Sequence, residues 1–414
     1  MKVLFLSDDF PPKSFGGAGI ITYLLAKGIV EAGHEVYVLT TVQDKEAPRG
    51  WREISGVRVF DLYNDYNGRF AAYVSLYNPS PLKALRALIE EVKPDVIHAH
   101  NIHNNISYHA LKIARRYTDK VFLTTHDAMA FNYGKLIDFY NKDDLSVHTT
   151  FSYKVGFLAN LKKARKRYNP VRNLMIRWYL NTFPKKIFAI SNRLRDALQE
   201  NGIKNVETIH CGIYVDPHPL RKDQARPFAE QLDLIGRKVV FFGGRLSEPK
   251  GGRVMIDALI YLVEKGTQVA LLIAGTPNDY AKYLLQYAER HGVREHIVFT
   301  GWLSQEDMKK AYAVCDVVVT PSIYFDAFNL FNIEAGAAGR PVVGTCFGGT
   351  PEIILDKKTG IIVNPNNIPM LAEAIRSIIS DRAFAERLGQ AGYERVKQAF
   401  NIKRFVSDTL SWYQ

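Results

Sequence analysis

Two carboxylates stand eight positions apart in the stretch FDAFNLFNIEAGAAGRPVVGTCFGG, residues 325–349. Asp326 follows an apolar run that predicts a strand over residues 316–320. Glu334 is expected to open a helix of small residues, which Pro341 ends. A carboxylate at a helix start can accept hydrogen bonds from a diol, and the free backbone N–H groups there favour an anion. The stretch therefore suits a nucleotide, with ribose hydroxyls on the acid and phosphates on the amides.

Two cations lie in a second stretch, GGRLSEPKGG, residues 243–252, which follows another apolar strand pattern. Arg245 offers a planar guanidinium, and Lys250 offers a mobile point charge beside a predicted helix start. Together they could neutralise a diphosphate. A P-loop is excluded, because it needs Gly before its Lys and Ser or Thr after it, whereas Pro249 and Gly251 stand in those positions.

These two stretches resemble the retaining glycosyltransferases of family 4, which are also called group 1 glycosyltransferases. The family signature is Glu, seven residues and Glu, followed by A-x-A-x-G-x-P-V-V. Here Asp326 replaces the first Glu, and Asn329 stands where a Gly is usual. Small-residue loop–helix–strand units occur in other doubly wound domains, but the spacing and the GRPVV tail favour this family.

The resemblance implies a role for each matching residue. Arg245 and Lys250 would bind the pyrophosphate of a nucleoside-diphosphate sugar, and Glu334 would bind its ribose. The family holds the donor sugar or the phosphates with the residues that correspond to Asp326 and to the backbone of Phe328, Asn329 and Leu330.

The nucleotide base is expected near Trp302, because the family typically places it beside the segment that corresponds to TGWL, residues 300–303. The sequence does not identify the base.

The chain also lacks an obvious D-x-D motif for holding a diphosphate through a cation. The resemblance therefore implies transfer without a metal or other cofactor, with Arg245 and Lys250 supplying the positive charge.

The first half of the chain carries a glycine-rich turn, FGGAG, residues 15–19, between a predicted strand and a predicted helix. Glycines let the backbone approach a phosphate or a sugar closely, although a tight turn alone would explain them. The spacing is not the G-x-G-x-x-G of dinucleotide-binding proteins, so an NAD enzyme is disfavoured. The family resemblance assigns Gly16 and Gly17 to the donor's phosphate and sugar.

A histidine ends another predicted strand in the segment TTHD, residues 124–127. A strand-end histidine is often merely satisfied by hydrogen bonds. The resemblance implies that His126 contacts the reacting sugar or its transition state, with Asp127 orienting its surroundings. His98, His100 and His103 could ligate zinc, but no acidic or cysteine partner stands nearby in the sequence, so a polar cleft wall is the preferred interpretation.

The elements that position these residues alternate between apolar strands and helices along the whole chain. Such continuous apolar strands predict parallel sheets covered on both faces. We expect two Rossmann-like, doubly wound domains facing a cleft, which is the GT-B fold of the family. The predicted domains are 1–215 on the acceptor side and 216–399 on the donor side, with a final helix over 400–414 packing back on the first.

Composition is that of a globular protein of 414 residues, with 47% hydrophobic and 23% charged residues. No apolar run is long enough to predict a membrane-spanning helix, and no signal-peptide pattern is present. Three scattered cysteines predict free thiols in a reducing compartment. We therefore expect a cytoplasmic protein.

The net charge of +12 arises from one segment. Residues 145–195 hold twelve Lys or Arg and no Asp or Glu, and the rest of the chain balances 42 basic against 42 acidic residues. Helical spacing predicts two basic amphipathic helices flanking Pro170. Over residues 154–195 they could dock on an anionic membrane at its inner face, bind an anionic acceptor, or form a solvated face. No nucleic-acid recognition module accompanies the segment.

The expected function is retaining transfer of a sugar from a nucleoside-diphosphate sugar to a hydroxyl of a glycan, glycolipid or other acceptor. Two alternatives stay open. One is a nucleotide-sugar hydrolase or epimerase on the same fold. The other is a non-catalytic sugar-binding or membrane-docked scaffold, which the departures at Asp326 and Asn329 motivate.

Overall fold

The computed structural model describes residues 1–12 and 16–414, without the side chains of Phe157, Lys163 and Lys166. The chain forms two compact units. Unit 1 comprises Met1–Leu136, Tyr153–Ile213 and Asn401–Gln414, and unit 2 comprises Ile137–Ser152 and Tyr214–Phe400. Phe15 of the glycine-rich turn lies outside the described residues.

Unit 1 is built on an eight-stranded sheet in the order β3-β4-β2-β1-β5-β6-β7-β8. The strands are β1 (Lys2–Ser7), β2 (Glu35–Val42), β3 (Gly50–Ile54), β4 (Val57–Tyr63), β5 (Val96–His100), β6 (Val121–Thr125), β7 (Lys186–Ala189) and β8 (Val206–Thr208). The central strands β1, β5 and β6 are buried almost throughout, which explains their unbroken apolar sequence.

Seven α-helices among the described residues of the first part of the chain also belong to unit 1. They are α1 (Gly17–Glu31), α2 (Ala71–Val74), α3 (Pro79–Val92), α4 (His109–Ala114), α5 (Phe157–Ala164), α6 (Arg172–Thr182) and α7 (Asn192–Glu200). The two helices predicted on either side of Pro170 are present as α5 and α6. Strands β3 and β8 were not predicted from the sequence. The sheet is not purely parallel, because the edge strand β3 pairs antiparallel with β4.

Unit 2 is built on a six-stranded sheet in the order β11-β10-β9-β12-β13-β14, and its described strand pairs are all parallel. The strands are β9 (Lys238–Gly243), β10 (Val269–Ala274), β11 (Ile297–Gly301), β12 (Val317–Thr320), β13 (Val342–Thr345) and β14 (Ile361–Val363). The helices are α8 (Arg226–Gln231), α9 (Gly252–Glu264), α10 (Asp279–Arg290), α11 (Gln305–Val314), α12 (Leu330–Ala337), α13 (Thr350–Ile353), α14 (Ile368–Ser380) and α15 (Arg382–Ala399).

Residues 137–152 belong to unit 2, although the sequence division placed them in the first domain. The reason is aromatic packing and hydrogen bonding. Phe139 packs edge-on against Phe347 with the ring centroids 5.3 Å apart, and the Tyr140 hydroxyl accepts a hydrogen bond from Asn366 Nδ2 at 2.9 Å. Neither contact has a signature that is local in the sequence.

The last helix, α16 (Ile402–Tyr413), packs within unit 1 against α1. The two helices approach closely at Gly28, where a Cβ atom would lie only 2.5 Å from Val406 Cγ2. None of the helices in the described parts of the chain has both the length and the apolar content that a membrane span requires.

Candidate active site

The loops that follow β9 and β12 bring Lys250 and Asp326 together. β9 and β12 are parallel neighbours, and the chain continues from β9 to β10 on one side of the pair and from β12 to β13 on the other. Open α/β sheets bind ligands at such a switch point. Lys250 Nζ lies 2.7 Å from Asp326 Oδ2, and their side chains are 23% and 9% exposed. The two residues form a largely buried ion pair at this edge of the sheet.

Neighbouring polar groups complete this ion pair. Ser322 Oγ lies 3.3 Å from Asp326 Oδ2, and the ammonium group of Lys250 lies 5.4 Å from the centre of the Tyr324 ring. Burial by itself lowers the pKa of Lys250, but the charge of Asp326 and hydrogen bonds to Asp326 and Tyr324 raise it above its ordinary value. Lys250 is therefore a fixed, protonated cation. The carboxylate of Asp326 contacts that cation, and its predicted contact with a donor sugar stays a prediction.

A glycine makes the contact between these two loops possible. Gly251 has φ +82°, and a Cβ atom there would lie 2.0 Å from the carbonyl oxygen of Pro321. Beside it, Ile323 N donates to the carbonyl oxygen of Pro249 at 2.9 Å. A side chain at position 251 would push the β9 loop away from the β12 loop. The KGG sequence thus holds Lys250 against Asp326.

Arg245 occupies the same loop but differs from Lys250 in its surroundings. Its side chain is exposed, and it makes no hydrogen bond or ion pair with a residue that the structure describes. A guanidinium held near a strand end in this way can bind an anion without first breaking an internal contact. The loop therefore presents one fixed cation and one free cation.

Helix α12 begins at Leu330, so the prediction that Glu334 opens the helix is wrong. Asn329 caps the helix: its side-chain oxygen accepts a hydrogen bond from Phe331 N at 3.1 Å. Asparagine is among the best N-cap residues, and it caps where the family usually has Gly. The side chain of Phe328 is buried against Phe400, with the ring centroids 5.7 Å apart. A ligand at this helix start would therefore meet backbone groups around Leu330.

Glu334 lies within the second turn of α12 and is held by a tyrosine that the sequence analysis did not identify. Tyr312, on α11, donates its hydroxyl hydrogen to Glu334 Oε2 at 2.8 Å. The Tyr312 ring packs against Phe241 and Phe331, each at a centroid distance of 5.3 Å. Burial raises the pKa of Glu334, and the Tyr312 hydrogen bond opposes that shift. One carboxylate oxygen is thus anchored, whereas Oε1 accepts no hydrogen bond from a residue that the structure describes and can bind a ligand.

Trp302 follows the last residue of β11, at the edge of the sheet that also carries the β9 loop. Its side chain is 55% exposed. Gly275 N donates to the carbonyl oxygen of Gly301 at 2.9 Å, which fixes the end of β11 beside that of β10. An exposed indole at this position can stack on a planar ring. This placement is compatible with the predicted role of Trp302 beside a base.

In unit 1, His126 follows β6 and belongs to a group of histidines at the carboxyl edge of the sheet. His126 Nε2 lies 3.1 Å from His100 Nδ1, and His126 N donates to Asn101 Oδ1 at 3.2 Å. Asp127 accepts a hydrogen bond from Asn101 Nδ2 at 3.0 Å and lies 3.8 Å from His103 Nε2. Asn101 thus ties the β5 loop to the β6 loop.

Burial keeps the rings of His126 and His100 neutral. Burial lowers the pKa of His126 to about 4. The charge of Asp127 opposes this shift, and His103 lowers the pKa further. The pKa of His100 also lies well below its ordinary value because of burial and its two histidine neighbours. Neutral imidazoles donate or accept one hydrogen bond at each nitrogen and carry no charge. At neutral pH His126 can therefore orient a ligand but offers it no positive charge.

His98 belongs to the core and not to a polar wall. Its Nε2 lies 2.8 Å from Thr124 Oγ1, and its Nδ1 is hydrogen-bonded to the Tyr413 hydroxyl. The wall prediction is wrong for His98 because Tyr413, from α16, covers it, a contact between residues far apart in the sequence. Among the residues that the structure describes, no group of three or more His, Cys, Asp or Glu side chains is placed to hold a metal ion.

A carboxylate that was not predicted from the sequence, that of Asp8, also lies at the carboxyl edge of the unit 1 sheet. Asp8 directly follows β1 and is 5% exposed, and its oxygens accept hydrogen bonds from the backbone N–H groups of residues 104–106 at 2.6–2.9 Å. Burial raises the pKa of Asp8 to about 6, although His103 and these N–H groups lower it. Its position after a central strand was the available signal. Asp8 holds the β5 loop in place.

Gly16 and Gly17 form the start of α1. Gly16 is the N-cap residue, with extended backbone, and Gly17 is the exposed first residue of the helix. The first turn of α1 holds no acidic side chain that would compete for an anion at its N–H groups. Because α1 follows β1 and His126 follows β6, both lie at the carboxyl edge of the unit 1 sheet. Their predicted contacts with a donor stay predictions.

Two family descriptions together match most of the chain. The description "Glycosyltransferase Family 4" matches residues 15–216, and "Glycosyl transferases group 1" matches residues 227–395. The chain belongs to this glycosyltransferase family. An uncharacterised glycosyltransferase of Methanocaldococcus jannaschii is 26% identical, over 100% of this chain and 98% of its own length.

Solved glycosyltransferase structures share the fold. Sucrose-phosphate synthase from Thermosynechococcus elongatus has a TM-score of 0.77 at 21% identity, covering 100% of this chain and 98% of its own. Anabaena HepE, solved in complex with UDP and glucose, has a TM-score of 0.71 at 21% identity, covering 99% of both chains. The two doubly wound sheets of this glycosyltransferase are those of the GT-B fold, as the sequence predicts.

The glycosyltransferase places its predicted site residues in two groups. In unit 2, Lys250 and Asp326 are in contact. The remaining predicted residues of that unit lie on the loops and helix at the same sheet edge: Arg245, Trp302, Phe328, Asn329, Leu330 and Glu334. In unit 1, Gly16, Gly17 and His126 share the carboxyl edge of the other sheet.

Proposed function

We propose that this glycosyltransferase moves a sugar from a nucleoside-diphosphate sugar to a hydroxyl of a glycan or lipid-linked acceptor, with retention of configuration. The observation that carries the proposal is the β9 loop. It presents the free cation Arg245 and the fixed cation Lys250 at the switch point of the unit 2 sheet. Anabaena HepE, which shares the fold, was solved in complex with UDP and glucose, and this supports a nucleoside diphosphate as part of the ligand.

The proposed donor is held by cations and N–H groups that bind its diphosphate and by a carboxylate that binds its ribose. Its diphosphate is bound by Arg245, by Lys250 and by the backbone N–H groups at the start of α12. Its ribose hydroxyls donate to Oε1 of Glu334, whose other oxygen is fixed by Tyr312. Asp326 acts through Lys250, which it positions at 2.7 Å, and does not itself need to reach the sugar.

The reaction exchanges one bond at the anomeric carbon. The bond to the diphosphate oxygen breaks, and the bond to the acceptor oxygen forms on the same face. The acceptor's proton goes to the departing phosphate, and Arg245 and Lys250 stabilise the charge that develops there. These two cations take the place that a divalent metal would occupy, so the proposal is of metal-independent transfer.

His126 supplies a hydrogen bond in this scheme. The Nε2 atom of buried His100 has no partner among the described residues. Because buried N–H groups rarely lack a partner, we expect His100 to carry its proton on Nδ1 and to donate it to His126 Nε2. The neutral ring of His126 then carries its own proton on Nδ1, which donates to a hydroxyl of the donor sugar.

A cytoplasmic site of action is part of the proposal, supported by three buried cysteine residues, Cys211, Cys315 and Cys346. The glycosyl donors of such a site would be the common UDP, GDP and ADP sugars.

A thermal-shift screen of UDP, GDP, ADP and their common sugars, with and without EDTA, tests the proposal first, because ligands of the native state raise its melting temperature. The stabilising donor is then incubated with an acceptor panel, and the anomeric configuration of the product is read by NMR. Retained configuration with EDTA present supports the proposal. Inverted product, a metal requirement, or donor consumption without any acceptor would each overturn it, the last in favour of a hydrolase or epimerase.

A further inference from the structure

Helices α5 and α6 expose apolar side chains that none of the described residues of unit 1 covers. We call this surface, residues 154–185, the α5–α6 face. Its exposed apolar residues, with their exposed fractions, are Leu158 (75%), Leu161 (40%), Val171 (51%), Leu174 (56%) and Trp178 (44%). Residues three or four positions apart share one side of a helix, so Leu174 and Trp178 form an outward stripe on α6 that begins at Val171. Soluble proteins rarely expose such a stripe without a use for it.

The stripe is not the face with which α6 packs onto its own unit. Ile176, Tyr179 and Leu180 are buried beneath the helix. Arg172 is buried as well: its guanidinium donates to the carbonyl oxygen of Met129 at 2.8 Å. Helix α6 is therefore apolar on two sides, and only one of them is used within unit 1. The outward side is available for a partner.

The charges around the stripe have one sign. Among the side chains of the α5–α6 face that the structure describes, the exposed cations are Lys154, Lys162, Arg165, Arg167, Arg177 and Lys185. No Asp or Glu occurs between residues 145 and 195. Each cation that lies near an anionic membrane surface strengthens binding to that surface. Six exposed cations with interleaved apolar groups thus suit an anionic layer that also has an apolar interior.

Aromatic side chains extend the surface beyond α6. Tyr77 is 52% exposed and lies edge-on to His109 at 5.1 Å, and His109 Nδ1 lies 2.9 Å from the Tyr179 hydroxyl. Lys112 lies 5.8 Å from the Trp178 ring centre. Trp and Tyr beside Lys are the side chains that settle at the boundary between lipid headgroups and hydrocarbon.

We propose that the α5–α6 face docks on an anionic lipid bilayer, with α5 and α6 lying in the headgroup plane and Leu158, Leu174 and Trp178 entering the acyl boundary. A second copy of the chain fits poorly, because two such faces would repel each other. Nucleic acid fits poorly too, since phosphates and bases make no use of exposed Leu158 and Leu174. The docking does not depend on the proposed transfer reaction.

Vesicle sedimentation tests this inference on the full chain. Wild-type protein is expected to sediment with phosphatidylcholine vesicles that contain phosphatidylglycerol, and to stay in solution with phosphatidylcholine alone or at high salt. Two double variants test the apolar and the electrostatic contributions to binding separately. Leu174→Ser with Trp178→Ser removes apolar side chains, and Arg165→Glu with Arg167→Glu reverses positive charges. Each should bind the anionic vesicles at least tenfold more weakly.

The matched control changes an equivalent surface in unit 2, Lys282→Glu with Tyr283→Ser, where Tyr283 is 40% exposed. It should bind as wild type does. Circular dichroism melting establishes that each variant is folded. Trp178→Phe keeps an apolar ring, so it should still bind the anionic vesicles. It should lose the blue shift of tryptophan fluorescence that lipid produces in the wild type. Absence of sedimentation at low salt, or equal binding by all variants, would overturn the proposal. So would lipid-free dimers that Trp178→Ser dissociates, since these would assign the face to a second copy.

Discussion

The ammonium of Lys250 lies 2.7 Å from a carboxylate oxygen of Asp326, and this contact joins the loops of two neighbouring strands, β9 and β12. The family resemblance gives the two residues separate tasks, one on the diphosphate and one on the sugar. Their contact makes them interdependent: the carboxylate fixes the cation, and the cation offsets the cost of burying the carboxylate. Removing one partner from a buried pair leaves the other charge uncompensated.

We therefore expect coupled losses at Lys250 and Asp326. Lys250→Ala and Asp326→Asn should each lower the free energy of unfolding of unit 2 by about 3 kcal/mol, whereas the double variant should cost less than the sum. Urea unfolding of all four proteins measures this. Each single variant should also lose at least 100-fold in the rate of sugar transfer.

An exposed ion pair on α9 provides the control for this cycle. Arg253 and Asp257 lie 3.8 Å apart, and their side chains are 59% and 27% exposed. Such pairs couple by less than about 1 kcal/mol. If Lys250 and Asp326 couple no more strongly than Arg253 and Asp257, the two residues act independently and Asp326 is not a positioning residue.

Glu334 should control donor affinity through the hydrogen bond that Tyr312 donates. Glu334→Gln replaces a charged acceptor of the ribose hydroxyls with a neutral one, so we expect the Kd of the nucleoside diphosphate to rise about tenfold or more. Tyr312→Phe keeps the buried ring but frees the carboxylate, and should weaken binding by a smaller factor. Isothermal titration calorimetry with the stabilising nucleotide measures both values. Unchanged affinity in Glu334→Gln would remove the carboxylate from the ribose site.

The sequence predicts the doubly wound fold because buried parallel strands need unbroken apolar runs, which can be read directly from residues such as those of β1 and β10. It also predicts the strand ends at which Arg245, Lys250 and His126 stand. Edge strands are less readable: β3 alternates partly buried with exposed residues and pairs antiparallel, so the pattern of the central strands does not extend to it.

Contacts between distant positions account for what the sequence does not reveal. Tyr312 precedes Glu334 by 22 positions on another helix, and only the packing of α11 beside α12 identifies it as the carboxylate's partner. Tyr413 covers His98 from the far end of the chain, which turns a predicted wall residue into a core residue. Asn329 departs from the family pattern for a local reason, since it caps α12.

Arg245 should contribute to the chemical step more than to stability, because it is exposed and makes no internal ion pair with a described residue. Arg245→Ala is expected to lower kcat/KM for the donor about 100-fold and to leave the melting temperature near that of wild type. Arg245→Lys keeps the charge without the paired donors and should fall between the two. Arg253→Ala, an exposed arginine of the adjacent helix, is the control. Equal activity in the two alanine variants would exclude Arg245 from the diphosphate site.

His126 should remain neutral through the range in which an ordinary histidine titrates. Because its folded pKa of about 4 lies below the ordinary 6.5, the folded state favours the neutral ring. Its contribution to the free energy of unfolding is therefore present above about pH 6.5 and is lost as the pH falls towards 4, by at most about 3 kcal/mol. His126→Gln can still contact His100 but does not titrate, so the stability advantage of wild type over this variant should shrink across that window. Urea unfolding at several pH values measures the difference.

Histidine NMR of both proteins should assign to His126 a resonance that does not move between pH 8 and pH 5.5. A resonance that titrates near 6.5, or a stability difference independent of pH, would show that His126 is charged in part at neutral pH and would assign it an electrostatic role in place of a hydrogen-bonding one.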